Sequence, residues 1–329
     1  MKIGNVSQTV IRRSILKQLH TRRKEAVISP SVEEMCAGIE VPEGYHVLFS
    51  TTSLYGDEKD LAVFAMAQVE NDLGTRGAET IGAGITILLP PYAYESRLKT
   101  MIGYAEQAAE IQNIQILNAK TEINPVITKT IVSVTGIGIV KKDHLIQSCM
   151  AKPGQDILVT RFTGVEGMLR IIREKEEELS KRFVPSFMNQ MKAFDQTLFA
   201  TKEIRIANDH HVSAMHQITD GGILAALWNV AEASDIGLEV RMKDIPIRQE
   251  TIEVCEYFHL NPYQLTSAGS ILMITDKGAE LKEKLLENGI PCEVIGRTTD
   301  TNERILWSHS EKRYLDRPSQ DELVKIYQM

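Results

Sequence analysis

Hydrophobic positions recur along the first half of the chain at two spacings. Apolar residues three and four apart predict helices, whereas short apolar runs between turn residues predict strands. The predicted helices cover residues 7–20, 58–75 and 96–111, and the predicted strands cover 37–41, 46–52, 83–89, 114–117 and 131–139. We expect the first two strands to pair across the turn Pro42-Glu43-Gly44. This half therefore reads as α+β with a strand-rich sheet.

A second half with the same two spacings begins after the turn Lys152-Pro153-Gly154. Its predicted strands cover 156–161, 238–241, 271–275 and 292–296, and its predicted helices cover 166–181, 187–200, 251–258, 279–287 and 320–328. A further amphipathic helix follows Gly221-Gly222, after a strand-like run that starts at Val212. With 329 residues the chain is long enough for two domains of ordinary size, which we place at 1–150 and 151–329.

Three turns of small residues lie in this second half: Thr219-Asp220-Gly221-Gly222, Gly164-Val165-Glu166-Gly167 and Thr266-Ser267-Ala268-Gly269-Ser270. Glycines at a helix start let the backbone approach a ligand, and the free N–H groups and the helix dipole there favour an anion. An isolated Asp-Gly-Gly turn is better explained by packing and by capping of the following helix by Asp220. The occurrence of three such turns favours one shared phosphate-binding site.

Composition narrows the class of protein. The chain has 43% hydrophobic and 25% charged residues, and no apolar run approaches the roughly 18 residues of a membrane span. Its net charge of −7 argues against a nucleic-acid-binding protein, because phosphate backbones require a basic surface. The basic residues Arg12, Arg13, Lys17, Arg22, Arg23 and Lys24 fit a solvated helix face, or a patch for a nucleotide or an acidic partner.

The start of the chain and its cysteines favour a cytoplasmic protein. Met1-Lys2-Ile3-Gly4 leads into a polar, basic helix and not into an apolar signal core. Cys36, Cys149, Cys255 and Cys292 lack the paired spacing of a zinc site. We expect reduced, mostly buried thiols.

Motifs spread over nearly the whole length resemble the aminoimidazole-ribonucleotide (AIR) synthetase superfamily, most closely its branch related to the hydrogenase maturation carbamoyl dehydratase. The motifs are Asn71-Asp72-Leu73 with Gly77-Ala78, Pro90-Pro91, Lys120-Thr121-Glu122-Ile123-Asn124-Pro125, Lys152-Pro153-Gly154, Gly164-Val165-Glu166-Gly167, Ala214-Met215-His216 with Thr219-Asp220-Gly221-Gly222, and Asp321-Glu322-Leu323. Their occurrence in the family's order makes chance similarity improbable.

The resemblance implies an AIR synthetase-like N-terminal domain, whose sheet forms a barrel at a homodimer interface, and an AIR synthetase-like C-terminal α/β domain. It also implies ATP in the inter-domain cleft and magnesium held by acidic residues. The residues that it assigns to a nucleotide or phosphate are Asn71, Asp72, Lys120, Thr121, Gly164, Glu166, Gly167, His216, Thr219, Asp220, Gly221 and Gly222. Asp72 and Glu34 are its candidate metal ligands. His216 fits a base, an adenine contact or a hydrogen-bonded structural residue.

The chain departs from the family where magnesium is expected. Relatives carry an acidic pair where this chain has Glu34-Met35, an Asp after two threonines where it has Ser53, and a Gly-Gly motif where it has Asn118-Ala119-Lys120. A thioether is a poor ligand for Mg²⁺, and a lysine places a positive charge where a cation is expected. Either Lys120 replaces part of the metal's charge, or the ATPase has decayed. The chain also ends at Met329, whereas the maturation enzymes use a C-terminal cysteine.

Our leading hypothesis is a homodimer that binds a small phosphorylated or nucleotide ligand, with ATP-dependent catalysis weakened or lost. One alternative is a non-catalytic dimeric scaffold for a maturation partner. A second is an active ATP-dependent enzyme of ligase, dehydratase or kinase type that activates a small molecule. The residues leave open whether the protein is an enzyme, and they predict neither a nucleic-acid partner nor a membrane one.

Overall fold

The structure is a computed structural model that describes residues 1–34, 36–308 and 310–328. Met35 and Met329, on which two of the expectations above depend, lie outside the described residues. The chain divides into two compact units. The first unit comprises residues 1–73 and 78–145, and the second comprises residues 74–77 and 146–329.

The first unit is built around one five-stranded sheet. The strands of this sheet are β1 (Gly4–Asn5), β4 (Tyr45–Gly56), β5 (Glu79–Leu89), β6 (Gln115–Ile123) and β7 (Thr130–Lys141). Strands β2 (Ala26–Ile28) and β3 (Gly38–Ile39) form a separate two-stranded sheet. The helices of the unit are α1 (Gln8–Val10), α2 (Leu61–Gly74) and α3 (Glu95–Gln112). The sheet order is β1-β6-β5-β7-β4. Strands β5 and β6 are parallel and joined by α3, and the other pairs are antiparallel.

Strand β4 shows how this sheet divides into a covered and an open face. Ser50 and Thr52 bond to side chains of α2, so the even positions face that helix. The odd positions from Val47 to Tyr55 are exposed and include Phe49, which is 76% exposed. One face of the sheet is thus packed against helix, and the other leaves aromatic and aliphatic side chains open.

The second unit contains a seven-stranded sheet. Its strands are β8 (Asp156–Thr160), β9 (Ala214–Gln217), β10 (Gly237–Arg241), β11 (Ile271–Thr275), β12 (Cys292–Thr299), β13 (Arg304–Ser308) and β14 (Glu311–Tyr314). Its helices are α4 (Val165–Glu174), α5 (Glu176–Arg182), α6 (Pro185–Lys192), α7 (Thr201–Asp209), α8 (Gly222–Ser234), α9 (Gln249–Tyr257), α10 (Gly278–Glu287) and α11 (Leu323–Gln328). The sheet order is β14-β13-β10-β12-β8-β11-β9.

The two faces of this sheet carry separate hydrophobic cores. Ile157 and Val159 of β8 join the core that contains α8, whereas Leu158 joins the core formed with α7 and α10. This follows from the two-residue period of a strand. Because both faces of β8 are buried, its sequence is apolar at consecutive positions.

Most predicted elements are confirmed, and three expectations are wrong. The strand near 37–41 pairs with β2 and not with β4, which pairs with β7. The helix predicted over 166–181 is two helices that meet at Lys175. The helix predicted over 187–200 is α6 followed by a 3₁₀ turn, and α7, β13 and β14 were not predicted.

The mixed helix-and-sheet architecture is as expected. The described residues of the single chain form no closed barrel, so the barrel at a subunit interface stays a prediction. Among the described helices, none combines the length and apolar character needed to traverse a bilayer.

All four cysteines are free thiols, but only Cys255 and Cys292 are buried. The expectation of mostly buried thiols is therefore wrong for Cys36 and Cys149, which are exposed.

Candidate functional site

The structure brings the three predicted turns together in the second unit. Glu166, at the start of α4, is fully buried, and its carboxylate accepts hydrogen bonds from Thr266 Oγ1 at 2.7 Å and from the Ala268 N–H at 2.9 Å. The Gly167 N–H donates to the carbonyl of Thr266 at 2.9 Å. The turn before α4 is thus bonded directly to the turn before β11.

The turn before α8 packs against the same segment through Gly222. This residue has a φ of +65°, and a Cβ atom there would lie 2.4 Å from the Tyr263 carbonyl oxygen and 2.7 Å from the Leu265 nitrogen. Only glycine fits such a close approach of two backbones without strain. Leu265 also lies against Gly167, where an added Cβ would meet its Cγ at 2.3 Å.

The backbone donors of these turns bond to acceptors within the protein. The bonds run from Gly164 to Ser267 Oγ, from Gly167 to the Thr266 carbonyl, from Gly221 to Asp321 Oδ2 at 2.9 Å, and from Gly222 to the Thr219 carbonyl at 2.8 Å. An anion that used these N–H groups would have to replace those acceptors. The turns therefore have a packing role that the sequence did not reveal.

Asp321 lies at the start of α8, where a phosphate was predicted. Its carboxylate accepts from the N–H groups of Gly221 and Leu323, at 2.9 and 2.8 Å. Burial raises the pKa of Asp321 to about 7, the two backbone hydrogen bonds lower it, and the nearby charges of Asp220 and Glu166 raise it further. The sequence motif Asp321-Glu322-Leu323 did not predict this role, although its acidic pair directly before the terminal helix was a signal for it.

Glu166 is a second buried acid in the same cluster of turns. Burial is the main cause that raises its pKa, against the positive charge of Arg170 and the hydrogen bonds from Thr266 and Ala268. Arg170, itself 5% exposed, donates to the hydroxyl of Tyr327 at 3.0 Å. This arrangement links α4 to α11.

The other predicted residues of the second unit lie near the α8 turn. His216 is half-buried on β9, and its Nδ1 atom lies 2.5 Å from the carbonyl oxygen of Gln217. Thr219 is half-buried and Asp220 is exposed. His216 thus has the backbone contact of a structural histidine, while its other predicted roles stay open.

In the first unit, Asn71 and Asp72 lie near the end of α2. Asn71 is fully buried, and Asp72 accepts a hydrogen bond from Ser50 Oγ at 2.8 Å. A parallel bond joins Thr52 Oγ1 to Gln68 Oε1 at 2.7 Å. These polar side chains hold α2 to β4.

The remaining predicted residues of this unit are dispersed. Lys120 is exposed on β6 beside Thr86 of β5, and Thr121 is buried. Glu34 is exposed, and its N–H donates to Ser31 Oγ at 3.0 Å.

Ser53, where the resemblance led us to expect an acidic residue, lies on the open face of β4. Its hydroxyl bonds to that of Ser133 at 2.7 Å, whereas Asp72 contacts Ser50 on the covered face. Magnesium requires several hard oxygen ligands in one place. Within the described residues, no group of three or more His, Cys, Asp or Glu side chains could hold a metal ion. Asp72 and Glu34 stay predicted ligands.

Comparison with known proteins adds three similarities. The family model described as AIR synthase related protein, C-terminal domain, matches residues 152–308. A putative hydrogenase expression/formation protein of Methanocaldococcus jannaschii is 23% identical over 336 residues, which cover 98% of this chain and 97% of that protein. The carbamoyl dehydratase HypE of Azotobacter vinelandii is 22% identical over 306 residues, which cover 88% of this chain and 86% of the relative.

A solved structure shares the fold over the same extent. The crystal structure of the hydrogenase maturation protein HypE in complex with ATP superposes with a TM-score of 0.75 at 18% identity, and the match covers 98% of this chain and 97% of that one. This chain therefore shares the fold of a protein that has been solved with ATP bound.

Proposed function

Because the chain belongs to the AIR synthase-like superfamily, near its hydrogenase expression/formation branch, we propose that it binds a nucleotide or another phosphate ligand, with ATP as the first candidate. The observation that carries this proposal is the full-length likeness to a protein solved with ATP. We assign residues 1–150 to the AIR synthetase-like N-terminal domain and residues 151–329 to the C-terminal domain.

The convergence of the glycine turns supports a phosphate contact in the second unit. Gly164, Gly167, Gly221 and Gly222 start two helices beside one segment, Tyr263–Ser270. The two helix starts direct their dipoles toward this region, which favours negative charge. A phosphate would compete there with the carboxyl group of Asp321. Because the pKa of Asp321 is raised to about 7, this carboxyl group loses its negative charge by protonation near neutral pH.

We further propose that ATP-dependent catalysis is weakened or lost. The support is the chemistry of the replaced positions, namely the neutral Ser53 and the positive Lys120. A lysine binds phosphate as a point charge, so Lys120 is suited to retain a nucleotide without the usual metal. Asn71, Thr121 and His216 stay in the proposed set of binding residues.

A homodimer that forms through the open face of the first sheet completes the proposal. Val47, Phe49 and Tyr55 expose large apolar side chains on one face of β4, and exposed apolar surface is typical of protein–protein interfaces. A barrel formed with a second copy would bury these side chains.

One observation favours the alternative of a non-catalytic dimeric scaffold for a maturation partner. The N–H groups of Gly164, Gly167, Gly221 and Gly222 all donate hydrogen bonds to oxygen atoms of the protein. This bonding is what we expect if the turns serve packing and not ligand binding. An active ATP-dependent enzyme is the second alternative, favoured by the full-length similarity to a carbamoyl dehydratase.

Thermal melting with ATP, in the presence and absence of Mg²⁺, tests the proposal. A ligand at 100 times its Kd stabilises the folded state by about 2.7 kcal/mol. We expect a rise of several degrees that is nearly the same with Mg²⁺ and with a chelator. A rise that requires Mg²⁺ would favour the active enzyme, and an unchanged midpoint at millimolar ATP would favour the scaffold.

Two lysine variants provide the matched comparison. Lys120→Gln should reduce the stabilisation by ATP, because a charge opposite the phosphates is lost. Lys99→Gln changes another exposed lysine of the same unit and should leave the rise intact. Equal rises in both variants would remove Lys120 from the proposed site.

A further inference from the structure

A cavity lies on the sheet of the second unit, away from the glycine turns. It is lined by Glu239, Arg241, Lys243, Arg297 and Trp307 and has a volume of about 360 Å³. Pockets for small molecules have volumes of roughly 300–1,000 Å³. The size is therefore that of a small-ligand site.

The cavity lies on a part of the sheet that the helices leave uncovered. The core beneath α7 and α10 takes its strand residues from β8, β9, β11 and β12, with none from β10 or β13. On β10, Leu238 and Val240 face the opposite core with α8, so Glu239 and Arg241 face the uncovered side. Trp307 is the register partner of Arg241 on the neighbouring β13. These cavity side chains are therefore not members of either core.

The two arginines of the cavity are oriented by acidic neighbours. Arg297 donates through Nε to Asp156 Oδ1 at 2.8 Å. Arg241 donates through Nε to Asp244 and through one Nη to the Val294 carbonyl at 3.1 Å. Among the described residues Arg297 bonds only through Nε, so its Nη groups remain available as donors. Fixed guanidinium groups of this kind bind carboxylate and phosphate.

The other lining residues add charge and a flat surface. Lys243 is exposed and forms no ion pair with the residues that the structure describes. Trp307 is half-buried, and its indole N–H contacts Glu239 Oε2 at 3.4 Å, which orients the ring. Within the lining, three cationic side chains face the carboxylate of Glu239, while Asp244 and Asp156 pair with the two arginines from outside the lining. Indole faces stack on planar rings.

We propose that this cavity is a second ligand site, which binds a small planar ring that carries a phosphate or a carboxylate. The ring stacks on Trp307, and the acidic group takes hydrogen bonds from Lys243 and Arg297. This site depends on none of the residues assigned to the nucleotide above. Its test is therefore independent of ATP binding.

Tryptophan fluorescence of a single-tryptophan variant tests the site. The chain contains two tryptophans, so Trp228→Phe leaves Trp307 as the only reporter. Phenyl phosphate and benzoate are the probes, and inorganic phosphate is the probe without a ring. We expect saturable quenching by at least one aromatic acid, with inorganic phosphate at least tenfold weaker. The more effective aromatic acid identifies the acidic group.

Charge variants in the same background decide whether the cavity is responsible. Lys243→Gln and Arg297→Gln should each weaken the quenching about tenfold, since each removes a charge-assisted hydrogen bond. Lys181→Gln and Arg205→Gln change exposed residues of the same unit outside the cavity and should leave it unchanged. The proposal is overturned if neither aromatic acid gives saturable quenching, if inorganic phosphate binds as well, or if the cavity variants bind like the controls.

Discussion

At the scale of single residues, Asp321 shows how burial alters a carboxyl group. It receives one backbone hydrogen bond from Gly221 at the start of α8 and one from Leu323 at the start of α11. Both favour the ionised form, yet burial and two neighbouring acids outweigh them and raise its pKa to about 7. In the unfolded chain the same group has a pKa near 3.8. The folded protein therefore holds this proton more tightly than the unfolded chain does.

This difference predicts how stability depends on pH. Between the unfolded value of 3.8 and the folded value of about 7, the folded state binds more protons, so the contribution of Asp321 is full at low pH and is lost as the pH rises through 7. The free energy of unfolding should fall by up to about 1.4 kcal/mol per pH unit relative to Asp321→Asn. Urea unfolding of both proteins over this range measures the difference.

Asp235→Asn, at the other end of α8, is the control for a changed surface charge, because Asp235 is exposed. Its pH profile should parallel that of the wild type. Parallel profiles for Asp321→Asn and the wild type would show that the carboxyl has no raised pKa.

At the scale of elements, the turn before α8 is fixed by contact between two backbones. Gly222 combines a positive φ with the close approach of the Tyr263 and Leu265 backbones, whereas Gly289 has a φ of +76° with no atom within 4 Å of a built Cβ. The two glycines share the conformational requirement, but only Gly222 has the steric one. Comparison of the two separates these effects.

Alanine substitutions at both positions should therefore differ in cost. Gly289→Ala should lose about 1–2 kcal/mol from left-handed backbone strain, and Gly222→Ala should lose at least about 2 kcal/mol more because the backbones must separate. Chemical denaturation measures both losses. Equal losses would mean that the turn before α8 can shift without cost.

Sequence periodicity predicted the elements that have a regular pattern of buried apolar residues in their own sequence. Helices α2, α3, α8 and α10 bury regular apolar positions and were located to within a few residues. The pairing of β3 with β2 depends on a distant segment, and the separation of α4 from α5 at Lys175 has no glycine or proline to mark it. β14 is exposed along its length, so it lacks an apolar signal.

For the candidate site, the sequence located the turns but not their bonding partners. The convergence of the three turns followed from their composition. Ser267 and Asp321 accept the hydrogen bonds of Gly164 and Gly221. The partners in each bond are about 100 residues apart in the chain, and local sequence patterns do not encode such contacts.

At the scale of the whole molecule, the open face of the first sheet predicts association. Phe49 is 76% exposed in the single chain, and Phe49→Asp would place a charge in the proposed interface. We expect sedimentation velocity to show a dimer for the wild type and a shift to monomer for this variant.

Ile111→Asp changes an apolar side chain of the same unit that is 78% exposed on α3. It should leave the dimer intact. A monomeric wild type, or a Phe49→Asp protein that stays dimeric, would contradict association through this face.

The short segment Gly74–Gly77, which belongs to the second unit although it lies within the first half of the chain, limits how the protein can be dissected. Its Arg76 donates to the Met215 carbonyl at 3.1 Å and to Ser148 Oγ at 2.8 Å. A fragment that starts at residue 146 would leave both acceptors without their guanidinium group. A single cut before residue 146 thus yields a C-terminal fragment that lacks the segment Gly74–Gly77 of its own unit. Only co-expression with the complementary N-terminal fragment would supply this segment.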